Sequence, residues 1–303
     1  KNAQQFLTNL KFAEENNMRI SIITSPHSFP AWFGTNYPNL KYYGPGGSNL
    51  SQYVLSNTFK DAMEAHLRAV MEEVKDFKNL DSICLSNEPW FDTRWFTDFY
   101  NPLFREYLQS VYGTIGNLNS ACGTSYSDFS KISMPTSLKD PVIGSPDKMR
   151  YDWIEFNDKV FADWHKWMAG IVEEYLPDVP LHSKMMGYLI SGNEDASRSH
   201  LMRGTDLELF AEFSDYAGND SWDYITSEDN NQYYQTMFLY NYQLTATGNP
   251  VYNSEDHIIA DRDSVYSHEQ RVHFTNNLWM GAVHGRSLSS IWSWRRSWVR
   301  LFL

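Results

Sequence analysis

Three features of this 303-residue sequence predict an α/β fold built as a (β/α)8 (TIM) barrel. Short runs rich in β-branched residues alternate with longer stretches whose apolar residues recur at helical spacing, the pattern of βα units around a parallel sheet. No Gly-rich phosphate loop follows the first run, which argues against a doubly wound nucleotide-binding sheet. Each strand ends in a cluster of polar and aromatic residues, as barrel strands do where they build a site at their C-terminal ends.

The elements follow in order. A first helix spans about residues 2–15, with Phe6, Leu10 and Ala13 on its apolar side. MRISIITSP (18–26) reads as a strand, and a helix from about Thr58 to Asp76 carries Phe59, Met63, Leu67, Val70, Met71 and Val74 at helical spacing. LDSICLSNEP (80–89) is the second strand. A long excursion, given no elements of its own, runs from Trp90 to about Met149. The helix 152–175 has Phe156, Val160, Trp164, Trp167, Ile171 and Tyr175 on one stripe, and Pro177 stops it. Strands VPLHSKMMGYL (179–189), DYAGNDSWDY (215–224), NPVYNSEDH (249–257) and SLSSIWSWRR (287–296) follow, with helices at about 231–245 and 268–285 between the last three.

That makes six strands, two short of a barrel. The chain opens on a helix and stops after a strand, so these are expected to be strands three to eight, with the first two strands and the last helix outside residues 1–303. An open six-stranded sheet has two free edges, and the outer edge of MRISIITSP is expected to find no partner within the chain.

Composition narrows the function. With 42% hydrophobic residues the chain can build a sizeable core. Aromatics reach 16%, including 11 Trp and 19 Tyr, which suits a core or a surface that stacks on sugar rings. The net charge is −12 and no Lys/Arg stripe appears, so no nucleic-acid partner is expected. No apolar run reaches the roughly 18 residues of a membrane span, so no membrane partner is expected either. The two cysteines, Cys84 in an apolar run and Cys122 in a Gly/Ser/Thr-rich turn, make no CxxC or Cys/His cluster. They do not fix a redox compartment, and no secretory leader is visible. Asn49-Leu50-Ser51 and Asn219-Asp220-Ser221 match the glycosylation sequon.

The chemistry is carried by two acids. Glu88, in LSNEPWF, ends the second strand, and Glu255, in YNSEDH, ends the fifth. If the chain starts at the second barrel helix, these are strands four and seven, whose ends face each other across the mouth. Opposed carboxylates are the equipment of glycoside hydrolysis: one protonates the leaving oxygen, and the other attacks the anomeric carbon in a retaining enzyme. The bland reading of Glu88 is a helix cap or surface acid. Asp256 and His257 directly follow Glu255 and invite a metal or triad reading, although no Gly-x-Ser-x-Gly elbow exists.

LSNEPW resembles the Asn-Glu acid/base motif of the clan A glycoside hydrolases. TSPHSFPAWFGTNYPNL, FREYLQSVYGTIGNLNSACGTSYSDFSKI and LWMGAVHGRSLSSIWSWRRSW are similar to successive segments of the family 42 β-galactosidases, the last of them to the helix and strand where a Trp-Arg pair ends strand eight. The resemblance covers most of the chain in order. It implies that residues 1–303 are one catalytic barrel domain of a retaining, β-galactosidase-like glycosidase, with Glu88 as acid/base, Glu255 as nucleophile and no cofactor or metal. The family's zinc-binding cysteine cluster and its substrate-contacting Arg after strand three have no match, so sugar preference stays open; agarase-, mannosidase- or fucosidase-like specificity, or a barrel that only binds glycans, remain alternatives.

The resemblance also implies an oligosaccharide or polysaccharide substrate and allows a homo-oligomer. Asn87 would hydrogen-bond the sugar 2-hydroxyl. Trp222 or Tyr224 would flank the nucleophile. Trp294 reads as the floor of the reacting-sugar subsite or as core, and Arg295 as an orienting or capping group. His27 reads as a sugar contact or a solvated loop residue. Trp90, Phe91, Trp95 and Phe96 lie just past the acid, where stacking surfaces would serve a glycan. The Met185-Met186 pair reads as core.

Overall fold

The computed structural model describes residues 2–24, 26, 31–37, 54, 56–91, 93, 97–135, 148–186, 204–223, 231–258 and 268–292. Six strands form one sheet: β1 (Ile20–Ile23), β2 (Leu80–Asn87), β3 (Leu181–Met186), β4 (Ala217–Trp222), β5 (Val251–His257) and β6 (Arg286–Ile291). They lie in sequence order and every neighbouring pair is parallel. This is the expected run of (β/α)8 barrel strands. Among the described residues β1 pairs only with β2 and β6 only with β5, so the sheet is open there.

The helices are α1 (Asn2–Glu15), α2 (Ala31–Asn36), α3 (Asn57–Val74), α4 (Thr97–Tyr112), α5 (Ile115–Cys122), α6 (Lys148–Glu173), α7 (Leu207–Ala211), α8 (Asn231–Thr247) and α9 (His268–Val283). Apolar periodicity places α1, α3 and α6, and position between strands places α8 and α9. In α3, Phe59, Met63, Leu67, Met71 and Val74 are buried, and the Ser56 hydroxyl caps its first turn by accepting from the Phe59 N–H. The excursion after β2 is not elementless: α4 and α5 form in it, and α5 ends on Gly123 in the left-handed region (φ 65°). Cys122 therefore closes a helix, and its thiol lies 3.8 Å from the Tyr112 hydroxyl. None of the described helices is long and apolar enough to cross a membrane.

The helix layer is built in two ways. Behind β1–β3 it is apolar and aromatic: Trp153, Phe161 and Phe210 are buried there with Leu67, Ile83 and Leu85. Much of the aromatic content therefore serves the core. Behind β4–β6 a small apolar cluster of Ala217, Met237, Tyr240 and Val251 is joined by polar contacts. Gln243 and Tyr240 on α8 bond Asn219 and Asn253, and Asn277 on α9 bonds Asp223 and Arg286. Buried Asn219 belongs to this layer, so the sequon that contains it is not a surface acceptor.

β3 and β4 approach closely at Gly218. A Cβ there would fall well inside contact with the Ser183 carbonyl oxygen and 2.7 Å from His182 Cδ2. Gly218→Ala is expected to lower unfolding free energy by about 1–3 kcal/mol, the cost of overpacking a rigid site. Urea unfolding with an unchanged m-value checks it.

Candidate active site

Successive strand residues face opposite sides. On β4, Asn219 and Ser221 reach back to α8, so Asp220 and Trp222 face the interior. On β5 the register shifts between Asn253 and Asp256, so both bond the helix side, and Glu255 and His257, on either side of Asp256, face inward. Lys184 comes from β3. The register pairs Asn87 with Lys184, Asp220 with Glu255 and Trp222 with His257. One layer at the C-terminal ends of four strands thus holds three acids, a lysine and an imidazole.

Glu88 arrives by a different route. The β2–β3 register shifts between Cys84 and Asn87, and Glu88 sits at φ 44° with its N–H bonded to the Lys184 carbonyl at 2.8 Å. A non-glycine residue in this region costs on the order of 1–3 kcal/mol and persists only where its surroundings hold it. Those surroundings are explicit. Phe91 stacks on Phe161 at 5.0 Å, Thr93 donates to Asn157 at 2.7 Å, and the Trp153 indole donates to Thr93 at 2.9 Å. All three anchors are on α6.

One carboxylate oxygen each from Glu88, Asp220 and Glu255 lie within 4.8 Å of one another. Lys184 Nζ forms an ion pair with Glu255 Oε2, and His257 Nε2 lies 3.1 Å from Glu255 Oε1. Burial pushes the Glu255 carboxyl up, but the His257 hydrogen bond and the Lys184 ammonium outweigh it and hold the group below its ordinary value. Asp220 goes the other way, to about 9, through burial first and then its hydrogen bond to Glu88 and the charges of Glu88 and Glu255. Below Lys184, His182 packs against Tyr252 at 4.8 Å, and burial together with the Lys184 charge lowers it to about 3, so it stays neutral. Burial raises the Cys84 thiol to about 12.

The inward wall is aromatic. Trp222 stacks on the His257 ring at 4.8 Å, and Trp292, half exposed just past β6, is tilted at 6.0 Å from it. Trp90 is 46% exposed beyond Glu88, and Asn87 is half-buried beside Glu88.

Several expectations change. Phe91 is buried core and not a glycan surface. Asp256 and His257 do not act as a pair: Asp256 bonds Arg286 at 2.6 Å behind the sheet while His257 serves Glu255 in front. Met185 is core, but Met186 is only half-buried. Cys84 lies in β2 and Cys122 ends α5. His27, Tyr224, Trp294, Arg295, Trp95 and Phe96 lie outside the described residues. Sequence reasoning gave no role to Lys184, and none to Asp220; the signal available was their period-2 position with Met186 and Trp222 at strand ends.

Six parallel strands in sequence order, with acids at the ends of β2 and β5, make up part of a (β/α)8 barrel. Residues 4–298 match the model of glycoside hydrolase family 42, described as Beta-galactosidase, and the chain belongs to that family. It is 23% identical over 226 residues to Beta-galactosidase Pbg of Clostridium perfringens, which covers 71% of this chain and 31% of that protein. Its fold matches Gan42B, a GH42 β-galactosidase of G. stearothermophilus crystallised as its E323A catalytic mutant (TM-score 0.73, 18% identity, 97% of this chain and 44% of that one). It also matches the apo exo-carrageenase GH42 of Bacteroides ovatus (TM-score 0.70, 19% identity, 95% and 42%). The chain thus spans less than half the length of these relatives.

Lys184→Met removes the partner of a buried carboxylate and is expected to destabilise by about 3 kcal/mol at neutral pH. Because Glu255 is held low in the fold, the stability it contributes is present above the unfolded carboxyl value, about 4.3, and is lost as pH falls through the folded one. The gap between parent and variant should therefore narrow in acid. Chemical denaturation at neutral and acidic pH measures both; an equal gap at the two pH values contradicts the pairing.

Proposed function

We propose that this chain carries the catalytic carboxylates of a retaining, β-galactosidase-like glycosidase acting on a glycan. The observation that carries the reading is the approach of the Glu88 and Glu255 oxygens within 4.8 Å. That favours the separation of about 5–5.5 Å for a direct nucleophile over the 6.5–9.5 Å or so that leaves room for a water. Family membership and the names of the relatives support the same class, and an exo-carrageenase among the fold matches keeps the sugar open within it.

In this reading Glu255, kept ionised by Lys184 and His257, attacks the anomeric carbon while Glu88 protonates the departing oxygen. The product is a glycosyl ester on Glu255. Glu88, now a carboxylate, takes a proton from the water that attacks the same carbon, and Glu255 leaves as the anion that Lys184 stabilises. Asn87 meets the sugar 2-hydroxyl, and Trp222 and Trp90 offer stacking faces. His27, Tyr224, Trp294 and Arg295 complete the binding set on the strength of the family pattern. Residues 1–303 serve as strands three to eight of the catalytic barrel.

The test is azide rescue in the full-length protein with an activated aryl-glycoside. Glu255→Ala cannot form the ester, so azide enters from the vacated face and yields the inverted glycosyl azide. Glu88→Ala still forms the ester but lacks a base for its hydrolysis, so azide yields the retained anomer. Opposite anomers from the two variants support the assignment. Parental activity in both variants sinks it, and a parent that binds glycans without cleaving any aryl-glycoside favours the binding barrel.

A further inference from the structure

Asp220 is fully buried on β4, registered opposite Met186 on β3 and Glu255 on β5. One of its carboxyl oxygens lies within 4.8 Å of an oxygen of Glu88 and of one of Glu255, with Glu88 placed to share a hydrogen bond with it. Two carboxyl groups can hydrogen-bond each other only with a proton between them, because an ionised carboxylate is an acceptor alone. The groups facing Asp220 are Glu88 from β2, Lys184 from β3, and Glu255 from β5, with His257 beyond it on Glu255; Cys84 lies deeper on β2. Just past its own strand, Asp223 is turned away and accepts from Asn277 on α9.

We propose that Asp220 is a positioning residue that holds one proton in common with Glu88, so that the two work as a single acid/base unit. The proposal rests on the reading of Glu88 as the acid/base. Burial and the neighbouring negative charges that raise Asp220 agree with it.

The protons balance through the cycle. At rest the pair holds one proton and Glu255 is an anion paired with Lys184. In the first step the bond from the anomeric carbon to the leaving oxygen breaks and the bond to Glu255 forms. The proton of the pair goes to the leaving oxygen, and the pair holds none. Two adjacent carboxylates would ordinarily resist this. At that moment, however, ester formation has removed the charge of Glu255 and released the Lys184 ammonium toward Asp220. In the second step water bonds to the anomeric carbon, the ester bond breaks, and the proton of the water returns to the pair. Reappearance of the Glu255 charge favours that return. The cluster thus lowers the proton affinity of the pair when a base is needed and raises it when an acid is needed.

The experiment compares full-length parent, Asp220→Asn and Asp220→Glu on aryl-glycosides of graded leaving-group basicity across pH. Asp220→Asn removes the second carboxylate, so the alkaline limb of kcat/KM should move to lower pH by at least about one unit. Its loss should grow with leaving-group basicity, reaching about 10- to 100-fold on poor leaving groups, with little change in KM. Asp220→Glu should keep the alkaline limb near the parental position. An unmoved limb in Asp220→Asn, or a loss equal for all leaving groups, overturns the proposal. An NMR titration needs neither turnover nor a folded Asp220→Asn. With 13C-labelled glutamate carboxyls in the parent, the signal that disappears in Glu88→Gln must titrate in two steps, and a single step overturns the sharing. A parent inactive on every glycoside, or Glu88→Ala at the parental rate, faults the glycosidase reading instead, and leaves the NMR result to decide the pairing.

Discussion

Glu255 is a carboxylate kept charged out of water, and the organisation of the site end of the sheet follows from that. An unpaired buried charge would simply take up a proton. Lys184 and His257 prevent this by engaging one oxygen each. A buried ammonium has its own requirement, and the neutrality of His182 beneath it means that no second cation competes for Glu255. The strands supplying these groups, β3 and β5, flank β4 and pair with it on either side, so their distances depend on ladder register and not on flexible loops.

Register is protected from behind by polar packing. Arg286 donates to Asp256 at 2.6 Å and to Asn277 at 2.8 Å, and Ser289 donates to Asp256 at 2.5 Å, tying β5, β6 and α9 together. Asn253 donates to Ser221 at 2.7 Å and to Tyr240 at 2.8 Å, linking β5 to β4 and α8. A slip of one residue would turn Glu255 to the helix side and Asp256 to the front. The directional bonds of this layer oppose such a slip more specifically than apolar contacts would. Gly281 is part of the device: a Cβ there would lie 2.5 Å from the Arg286 guanidinium.

The Glu88 side works on other terms. Its strand is backed by an apolar, aromatic layer on α6, and Ser86 bonds His165 there at 2.8 Å. His165 Nδ1 lies 2.8 Å from the Phe161 carbonyl and must donate to it, so Nε2 accepts from the Ser86 hydroxyl. Past that point the chain leaves regular strand geometry, and the left-handed backbone at Glu88 is held by Phe91 and Thr93. One acid is therefore placed by strand register and the other by a strained turn clamped to a helix.

Much of the fold was readable in the residues. Helices α3 and α6 announce themselves because one face of each meets an apolar layer, so Phe59, Met63, Leu67 and Met71, or Phe156, Trp164 and Ile171, must recur at helical spacing. Helix α9 buries only Asn277 and Gly281 and shows no comparable stripe, although its position between strands still places it. Helices α4 and α5 went unread inside the excursion.

For the site, the strand-end positions of Glu88 and Glu255 were open to local reasoning, since apolar runs followed by a polar cluster mark the C-terminal mouth of such a sheet. The division between Asp256 and His257 was also implicit in strand alternation. What surrounds the acids was not. Lys184 lies 71 residues from Glu255 in sequence, and Asp220 is far from Glu88. Whether they touch depends on the register of parallel strands joined by long crossovers, a relation that no local pattern encodes. By itself the sequence determined the order of elements and which residues carry charge. The tertiary structure decided which charges share a proton or a partner, because those energies depend on burial and on distances of a few ångströms across strands.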